Sequence, residues 1–150
     1  MRETLFNWLG QTLHGRRCLD MFAGSGALGF EAASRGAAEV TMVESNRAAF
    51  RALQENVRRL GCANVAPYCE DGIEFAKREK KRYDVIFLDP PFGGDLLHKA
   101  LPLLEQRLEP GGRVYVESGE PFEPDAAWEA AKRGKAGRVY YQLLKRAADD

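Results

Sequence analysis

The sequence predicts an α/β protein with a doubly wound, Rossmann-like and mostly parallel sheet in a single domain. Three observations support this prediction. Short apolar runs alternate with segments of helical periodicity, a glycine-rich loop joins the first such pair, and the runs are apolar throughout rather than at every second residue. Runs of this kind are typical of strands covered by helices on both faces. The chain, with 150 residues of which 45% are hydrophobic, can bury one substantial core.

Four of the apolar runs predict central strands, and each has an acidic residue at or near its end. They cover residues 18–20 continuing to 23, 40–44, 85–89 and 114–117, and a further short strand is predicted over 64–69. Helical patterns between them predict helices over residues 2–9, 27–35, 46–60, 72–80 and 96–108. This alternation requires right-handed crossovers between parallel strands.

The C-terminal region is less regular. Residues 138–145 have the composition of a strand, and residues 134–137 before them resemble a hairpin turn. Residues 126–133 fit either a helix or the other strand of that hairpin, and we favour the strand. Earlier in the chain, Pro110, Gly111 and Gly112 predict a turn that leads into the strand over 114–117.

Composition excludes several classes of protein. The 22 basic and 22 acidic residues cancel, so any nucleic-acid surface must be a local patch. The three cysteines lack C-x-x-C spacing and occur with only two histidines, which argues against a disulfide scaffold and a metal site. No apolar run approaches the roughly 20 residues of a membrane span, and no signal peptide is evident. We therefore expect a cytoplasmic protein without a membrane partner.

A glycine loop follows the first predicted strand. Gly24, Gly26 and Gly29 form a G-x-G-x-x-G pattern that opens the next helix, a spacing that brings backbone amides close to a bound nucleotide. A nicotinamide or flavin dinucleotide is the rival ligand, but Asp20 places a negative charge where pyrophosphate would lie, and no second mononucleotide-binding half is evident. The same charge suits the cationic amino-acid end of S-adenosylmethionine.

Acidic residues also follow the next two strands. Glu44 is placed to accept both hydroxyl hydrogens of a ribose, in an adenosine cofactor or in a dinucleotide. Asp71 is placed to accept from an adenine amine or to cap the helix over 72–80, and the two roles are compatible. Asp20, Glu44 and Asp71 all fall at the sheet edge where doubly wound proteins bind ligands, and this shared edge is the main argument for a site.

The turn Asp89-Pro90-Pro91-Phe92 follows the fourth strand at the same edge. Its prolines fix φ and remove two backbone donors, which makes a rigid turn with an outward-facing carbonyl. The exocyclic amine of a nucleobase is a poor nucleophile because its lone pair is delocalised into the ring. Hydrogen bonds to Asp89 and to the Pro90 carbonyl would localise that pair for attack on a methyl group. Phe92 would stack on the base, a contact worth about 1 to 3 kcal/mol.

Together these motifs resemble those of class I S-adenosylmethionine-dependent methyltransferases. More closely they resemble the RsmD family, the 16S ribosomal RNA (guanine-N(2))-methyltransferases. The matching stretches are RETLFNWL at residues 2–9, LDMFAGSGALG at 19–29, VE at 43–44, DPPF at 89–92, YVE at 115–117 and GRVYYQLL at 137–144. The resemblance therefore extends over nearly the whole chain.

The resemblance implies one methyltransferase domain over residues 1–150, with a seven-stranded, mostly parallel sheet and an antiparallel last strand. It implies that Asp89, Pro90, Pro91 and Phe92 form the catalytic turn and that S-adenosyl-L-methionine is the methyl donor. The implied donor-binding residues are Asp20, Phe22, Gly24, Gly26, Glu44, Ser45, Asp71, Gly72 and Asp89. The implied substrate is a guanine of 16S rRNA, within the 30S subunit or an assembly intermediate, and the enzyme is expected to be a monomer.

The sequence departs from the family pattern at its start. A basic hairpin and an Arg-Pro-Thr segment usually precede the helix that begins here at Met1-Arg2, and in the family they help to bind RNA and to close over the donor. We therefore expect a member that lacks the usual N-terminal basic extension, and RNA affinity is the implied property that this difference affects most. The motifs alone leave three alternatives: a DNA adenine or cytosine amino methyltransferase, an NAD-binding oxidoreductase, and a silent nucleotide-binding module.

Basic residues occur in two places that matter for RNA. The run over residues 77–82 joins a helix back to a strand, so we expect it at the opposite edge of the sheet as a solvated face. The hairpin residues Lys132, Arg133, Lys135 and Arg138, together with Arg47, are the predicted RNA contacts because they fall on the same edge as the Asp89 turn.

Overall fold

Helices and strands alternate along the chain in a computed structural model that describes residues 2–91 and 94–149. Within these ranges the helices are α1 Arg2–Trp8, α2 Ala27–Ser34, α3 Arg47–Leu60, α4 Gly72–Arg78 and α5 Gly94–Leu104. The strands are β1 Arg17–Asp20, β2 Glu39–Glu44, β3 Val65–Cys69, β4 Tyr83–Leu88, β5 Leu108–Ser118, β6 Trp128–Ala136 and β7 Val139–Arg146.

The seven strands form one sheet in the order β3-β2-β1-β4-β5-β7-β6. The first five are parallel to one another, β7 is antiparallel to β5, and β6 is antiparallel to β7. This architecture confirms the predicted doubly wound, mostly parallel sheet with an antiparallel C-terminal strand. The chain adds β2 and β3 on one side of β1 and then returns to add β4 on the other. The strand order therefore reverses between β1 and β4, the position where such sheets bind ligands.

Helices cover both faces of the sheet, and each covered face contains a buried apolar cluster. Ile86 and Val116 pack beneath α4 and α5, whereas Val40 and Phe87 pack beneath α1, α2 and α3. The central strands are thus apolar on both faces, which is why their sequence shows continuous rather than alternating hydrophobic runs. No helix in the described part of the chain is both long and apolar enough to cross a membrane.

The first strand is shorter than predicted. It ends at Asp20 instead of continuing to Ala23. The next residues keep single backbone hydrogen bonds to the flanking strands, from Met21 N to Phe87 O at 3.2 Å and from Ala23 N to Val43 O at 2.9 Å. The chain is already turning into the glycine loop here, so the apolar character of these residues reflects burial rather than strand structure.

Three other predicted boundaries shift. The fifth helix ends at Leu104 instead of residue 108, and the predicted turn at residues 110–112 lies inside β5, where the pairing with β4 is irregular. The hairpin reverses at Gly137, whose φ is +59°, because β6 continues through Ala136. Residues 126–133 fitted either a helix or a strand, and the strand we favoured is present as β6, which begins at Trp128.

Candidate active site

A cavity of about 380 Å³ opens at the carboxyl ends of β1 and β4, where the strand order reverses. Its volume falls in the range typical of small-molecule sites. We call it the loop cavity, because the glycine loop forms much of its wall. It is lined by Asp20, Met21, Phe22, Ala23, Gly24, Ser25, Ala27, Leu28, Glu44, Ser45, Gly72, Asp89, Pro90 and Pro91.

The glycine loop forms because two of its residues adopt left-handed backbone angles. Gly24 has φ +56° and Gly26 has φ +84°, a region that side chains with a Cβ rarely occupy. Gly26 is also tightly enclosed, since a Cβ there would lie 2.6 Å from atoms of both Leu53 and Phe30. Around Gly24 there is open space, so a ligand can approach the loop closely at this residue.

Glu44 at the end of β2 fastens this loop to the sheet. One carboxylate oxygen accepts from the Gly24 amide at 2.8 Å, and the other accepts from the Asn46 amide at 2.8 Å. Asn46 in turn caps α3 by accepting from the Ala49 amide. A carboxylate offers about four lone-pair directions, so Glu44 retains acceptor capacity beyond these two bonds.

Asp20 at the end of β1 is almost completely buried, with 2% of its surface exposed. Among the described residues its side chain accepts one hydrogen bond, from the Gly29 amide at 3.1 Å. Burial raises the pKa of Asp20 to about 7, opposed by the Gly29 hydrogen bond and reinforced by repulsion from Asp89, Glu44 and Glu117. Such a carboxylate favours a positively charged ligand, because a cation would replace the hydration lost on burial.

The remaining predicted donor-binding residues divide into two groups. Phe22, Ser45 and Gly72 line the loop cavity, whereas Gly26 and Asp71 are not among its lining residues. Asp71 caps α4 by accepting from the Glu74 amide at 3.0 Å, so the capping role predicted for it is present.

The turn after β4 separates the loop cavity from its neighbour. Pro90 is buried, and the Asp89 side chain lies exposed on the cavity wall. Loss of surrounding water raises the pKa of Asp89 to about 6, and repulsion from Glu117 adds to this effect. Asp89 is therefore largely ionised at neutral pH but binds a proton more readily than an ordinary aspartate. Phe92, the predicted stacking residue, lies outside the described residues.

A second cavity, of about 440 Å³, lies on the other side of this turn. We call it the outer cavity. It is lined by Asp89, Pro90, Pro91, Glu117, Ser118, Gly119, Glu120, Pro121, Phe122 and Val139. Asp89, Pro90 and Pro91 belong to both linings, so the two cavities share one wall. A carboxylate and a rigid turn thus stand between two adjacent recesses at the same edge of the sheet.

The far wall of the outer cavity is a short segment that the sequence motifs did not single out. Ser118 donates to the Glu120 carbonyl at 2.7 Å, and the buried Gln142 amide donates to the Phe122 carbonyl at 2.7 Å. The Phe122 ring packs against His98, with ring centroids 4.9 Å apart. These contacts hold the segment across from the Asp89 turn.

Glu117, at the end of β5, is the site residue that sequence reasoning missed. In the sequence it ends the fourth central strand and belongs to the matching stretch YVE at 115–117, but no role was predicted for it, yet it lines the outer cavity with Asp89. The available signal was its position, because it ends a parallel strand at the same edge as Asp20 and Glu44.

The charge of the loop cavity discriminates between ligands. Asp20, Glu44 and Asp89 line it, and no lysine, arginine or histidine is found among its described lining residues. A pyrophosphate would be repelled by these carboxylates, whereas a cationic nucleoside would be attracted. Within residues 2–91 and 94–149, no cluster of three or more histidine, cysteine or acidic residues is arranged to hold a metal ion.

The basic residues predicted to contact RNA lie on the hairpin of β6 and β7, which turns at the same edge as the outer cavity because β7 begins opposite the end of β5. Arg133 is bound bidentately by Glu123 at 2.8 and 2.9 Å, which offsets its charge. The Lys135 ammonium lies 5.0 Å from the centre of the Tyr140 ring. Arg47 is exposed at the start of α3.

The charge run at residues 77–82 lies on the connection from α4 to the amino end of β4, opposite the cavities as predicted. Several of its side chains form ion pairs. Arg78 binds Glu70 at 2.6 Å and Lys81 binds Glu39 at 2.9 Å.

Comparison with known proteins places the chain among methyltransferases. Residues 1–145 match the family model described as Conserved hypothetical protein 95. The chain is 40% identical to ribosomal RNA small subunit methyltransferase D of Escherichia coli strain K12, over 99% of this chain and 77% of that protein. It is 38% identical to the protein of the same name from Haemophilus influenzae, over 97% of this chain and 79% of that protein. The solved structure of the Escherichia coli protein yhhF superposes with a TM-score of 0.89 at 40% identity, covering 98% of this chain and 86% of that one.

Proposed function

The chain belongs to the Conserved hypothetical protein 95 family, and from that membership and its site we propose that it transfers a methyl group from S-adenosylmethionine to the exocyclic amine of a guanine in small-subunit rRNA. The observation that carries the proposal is the shared wall: the Asp89 turn borders both a carboxylate-lined cavity and a second recess. A methyl donor and a base can then meet across the turn.

The loop cavity suits S-adenosylmethionine by its chemistry. When bound, this cofactor supplies an electrophilic methyl group on a positively charged sulfur. Asp20 would hold the cationic amino-acid end, Glu44 the ribose, and Asp71 with Gly72 the adenine end. Phe22, Gly24 and Ser45 complete the proposed donor site, and Gly26 shapes the loop behind it without lining the cavity. The buried carboxylate of Asp20, which accepts from Gly29 and from no other group in the described part of the chain, is the feature that fits a cation best, because a positive charge would remove the cost of ionising it.

The outer cavity is the proposed place for the target base. Asp89 accepts one hydrogen of the exocyclic amine and the Pro90 carbonyl accepts the other, which localises the lone pair on the nitrogen. As the N–C bond forms, the methyl–sulfur bond of the donor would break and neutral S-adenosylhomocysteine would leave. The nitrogen would become cationic, and its extra proton would pass to Asp89 and then to solvent. The raised pKa of Asp89, about 6, brings its proton affinity closer to the working pH, as a proton acceptor requires. Phe92 is the proposed stacking residue.

The proposed substrate is the 30S subunit or an assembly intermediate, and this reaction belongs in the cytoplasm with the ribosome. We propose that residues 1–150 act as a monomeric catalytic domain. Lys132, Arg133, Lys135 and Arg138, on the hairpin that turns at the same sheet edge as the outer cavity, would contact phosphates of the RNA. The target guanine would be read in a loop or junction, where its base edge is accessible.

The proposal is tested by incubating the purified chain with methyl-labelled S-adenosylmethionine and ribosomal subunits from a strain that lacks its own methyltransferase of this family. We expect label in small-subunit rRNA as N2-methylguanine at one position, and none in large subunits or DNA. Protein-free 16S rRNA, tested in parallel, distinguishes naked RNA from the particle. Label on adenine or cytosine, or binding of NAD without binding of S-adenosylmethionine, would contradict the proposal.

A further inference from the structure

Besides Asp89, the outer cavity is lined by two carboxylates, the exposed Glu120 and the deeper Glu117, and the reaction itself does not explain the role of Glu117. Glu117 is half-buried at the end of β5 and lines the same 440 Å³ recess as Asp89. The two side chains are electrostatically coupled, since repulsion from Glu117 contributes to the raised pKa of Asp89. Two carboxylates facing one partly desolvated recess repel each other, so the arrangement is costly unless a ligand with hydrogen-bond donors fills it.

Glu117 is held in a defined orientation. The Tyr115 hydroxyl donates to one of its carboxylate oxygens at 2.9 Å. Tyr115 is fully buried, and its ring contacts the rings of Phe87 and Tyr141 with centroids 6.4 and 6.5 Å apart. Burial and the neighbouring Glu117 raise the pKa of Tyr115, so its hydroxyl remains a donor at physiological pH. The second oxygen of Glu117 makes no hydrogen bond to the described part of the chain, which leaves it available to a ligand.

Nucleobases with an exocyclic amine differ at the neighbouring ring nitrogen. In guanine, the N2 amine lies beside N1–H, so two donors are adjacent on the Watson–Crick edge. In adenine and cytosine, the amine lies beside an unprotonated ring nitrogen, which is an acceptor. A pair of carboxylates therefore matches guanine and repels the other two bases, and leaving a buried acceptor facing an acceptor is heavily penalised.

On the basis of the proposed function, we propose that Glu117 accepts the N1–H of the target guanine while Asp89 accepts from its N2 amine, so that Glu117 selects guanine among the bases. Tyr115 acts as the positioning residue that fixes the carboxylate. Recognition of an extruded base through its Watson–Crick edge is a general strategy of enzymes that modify bases.

The test compares guanine with 2-aminopurine at the mapped target position. The latter keeps the N2 amine but has no hydrogen on N1. Small-subunit RNA carrying either base is prepared by ligation and assayed with the wild-type chain and with Glu117→Gln, which preserves the shape and can still accept from Tyr115. We expect the wild type to prefer guanine about 10- to 100-fold, the cost of an unpaired charged acceptor. In Glu117→Gln the preference should fall to about threefold or less, because an amide can donate to an unprotonated N1.

The ratio between the two substrates is the decisive quantity. Any effect of Glu117→Gln on the ionisation of Asp89 changes both rates equally and cancels. Binding of S-adenosylmethionine by Glu117→Gln checks its fold, and Glu55→Gln, an exposed charge change on α3, is the matched control. Tyr115→Phe, which removes the tether but keeps the charge, should reduce the preference by a smaller factor.

The outcomes separate the two proposals. If the wild type methylates guanine and Glu117→Gln keeps the wild-type ratio, the role of Glu117 is wrong and the proposed function stands. If the wild type methylates no guanine in small-subunit RNA, the proposed function fails and the role of Glu117 fails with it.

Discussion

At the scale of single residues, the site is built from carboxylates held in unfavourable surroundings. Asp20 is the clearest case, because its burial favours the protonated form and repulsion from Asp89 and Glu44 adds to the cost of ionising it. The folded protein retains this residue although an amide would fit the same hydrogen bond to Gly29. A residue that opposes folding but faces a ligand cavity is the usual mark of function.

The first prediction follows from the sign of this shift. The pKa of Asp20 is about 7 in the folded protein, against 3.8 for an ordinary aspartate. At low pH, where Asp20 is protonated in both states, its ionisation does not change the unfolding free energy. As the pH rises from about 4, its ionisation lowers the unfolding free energy, and the full loss is reached above pH 7. Asp20→Asn removes the ionisation. Its unfolding free energy, relative to that of the wild type, should therefore be higher at pH 8 than at pH 5 by on the order of 2 kcal/mol.

Urea unfolding followed by circular dichroism at both pH values measures this difference, and Asp95→Asn, a change at an exposed carboxylate on α5, is the control. The same variant should bind S-adenosylmethionine more weakly, so stability and donor affinity move in opposite directions. A stability difference that is the same at pH 5 and pH 8 would show that Asp20 does not titrate as its burial implies.

The second prediction concerns Asp89, whose proposed role begins only when the base is docked. Asp89→Ala should reduce methyl transfer on the order of 100-fold or more, the usual contribution of a positioned proton acceptor. Binding of S-adenosylmethionine should change by no more than about threefold, because the donor site retains Asp20 and Glu44. Single-turnover transfer and calorimetric titration measure the two quantities, with Asp95→Ala as the control. Loss of both in equal measure would assign Asp89 to donor binding instead.

At the scale of elements, the sequence predicted the bounds best for those elements whose signals are local in the chain. Strands β2 and β4 and helix α3 appear at or near their predicted bounds, because continuous apolar runs and the Asn46 cap are local signals. The end of β1 was extended too far, since Met21 and Ala23 are buried without being in a strand. Glu117 was missed as a site residue because its relation to Asp89 is set by the pairing of β4 with β5, which no local pattern encodes.

The glycine loop gives the third prediction, since its two left-handed glycines should respond differently to the same change. Gly26→Ala combines a disfavoured φ with contacts of 2.6 Å to Leu53 and Phe30, so it should lower the unfolding free energy by about 2 to 4 kcal/mol. Gly24→Ala has the disfavoured φ but open space around it, and it should cost about 1 to 2 kcal/mol.

Denaturant unfolding of the two variants under identical conditions measures this order, and each serves as the other's control. Calorimetric titration of Gly24→Ala with S-adenosylmethionine adds a functional readout, because Gly24 lines the loop cavity and Gly26 does not. Equal destabilisation by the two substitutions would mean that the packing around Gly26 relaxes without cost.

At the scale of the whole molecule, a net charge of zero conceals a division between the two edges of the sheet. The edge at the carboxyl ends of the parallel strands carries the acidic cavities and, beside them, the basic hairpin. The opposite edge carries the run at residues 77–82, several of whose charges are paired. Composition could not show this division, because it depends on which connections return to which edge. Topology, not charge count, is therefore the basis on which we propose the hairpin edge as the surface for RNA.

The final prediction tests that surface. Lys135→Glu with Arg138→Glu reverses two charges at the turn of the hairpin, next to the outer cavity. Lys80→Glu with Arg82→Glu makes the same change of charge on the opposite edge and is the matched control. We expect the hairpin variant to raise the KM for small-subunit RNA about tenfold or more at low salt. The slope of log affinity against log salt should become shallower by about one for each phosphate that the variant no longer neutralises.

The control should stay within about twofold of the wild type, and both double variants should bind S-adenosylmethionine normally, because screening limits the reach of exposed charges to about 10 Å at moderate salt. Filter binding over a range of NaCl concentrations and initial rates of methyl transfer supply the measurements. A larger effect of the opposite-edge variant would show that RNA binds at the edge of the sheet that carries residues 77–82. The Asp89 turn could then not reach the target base, because the sheet would lie between the cavities and the RNA.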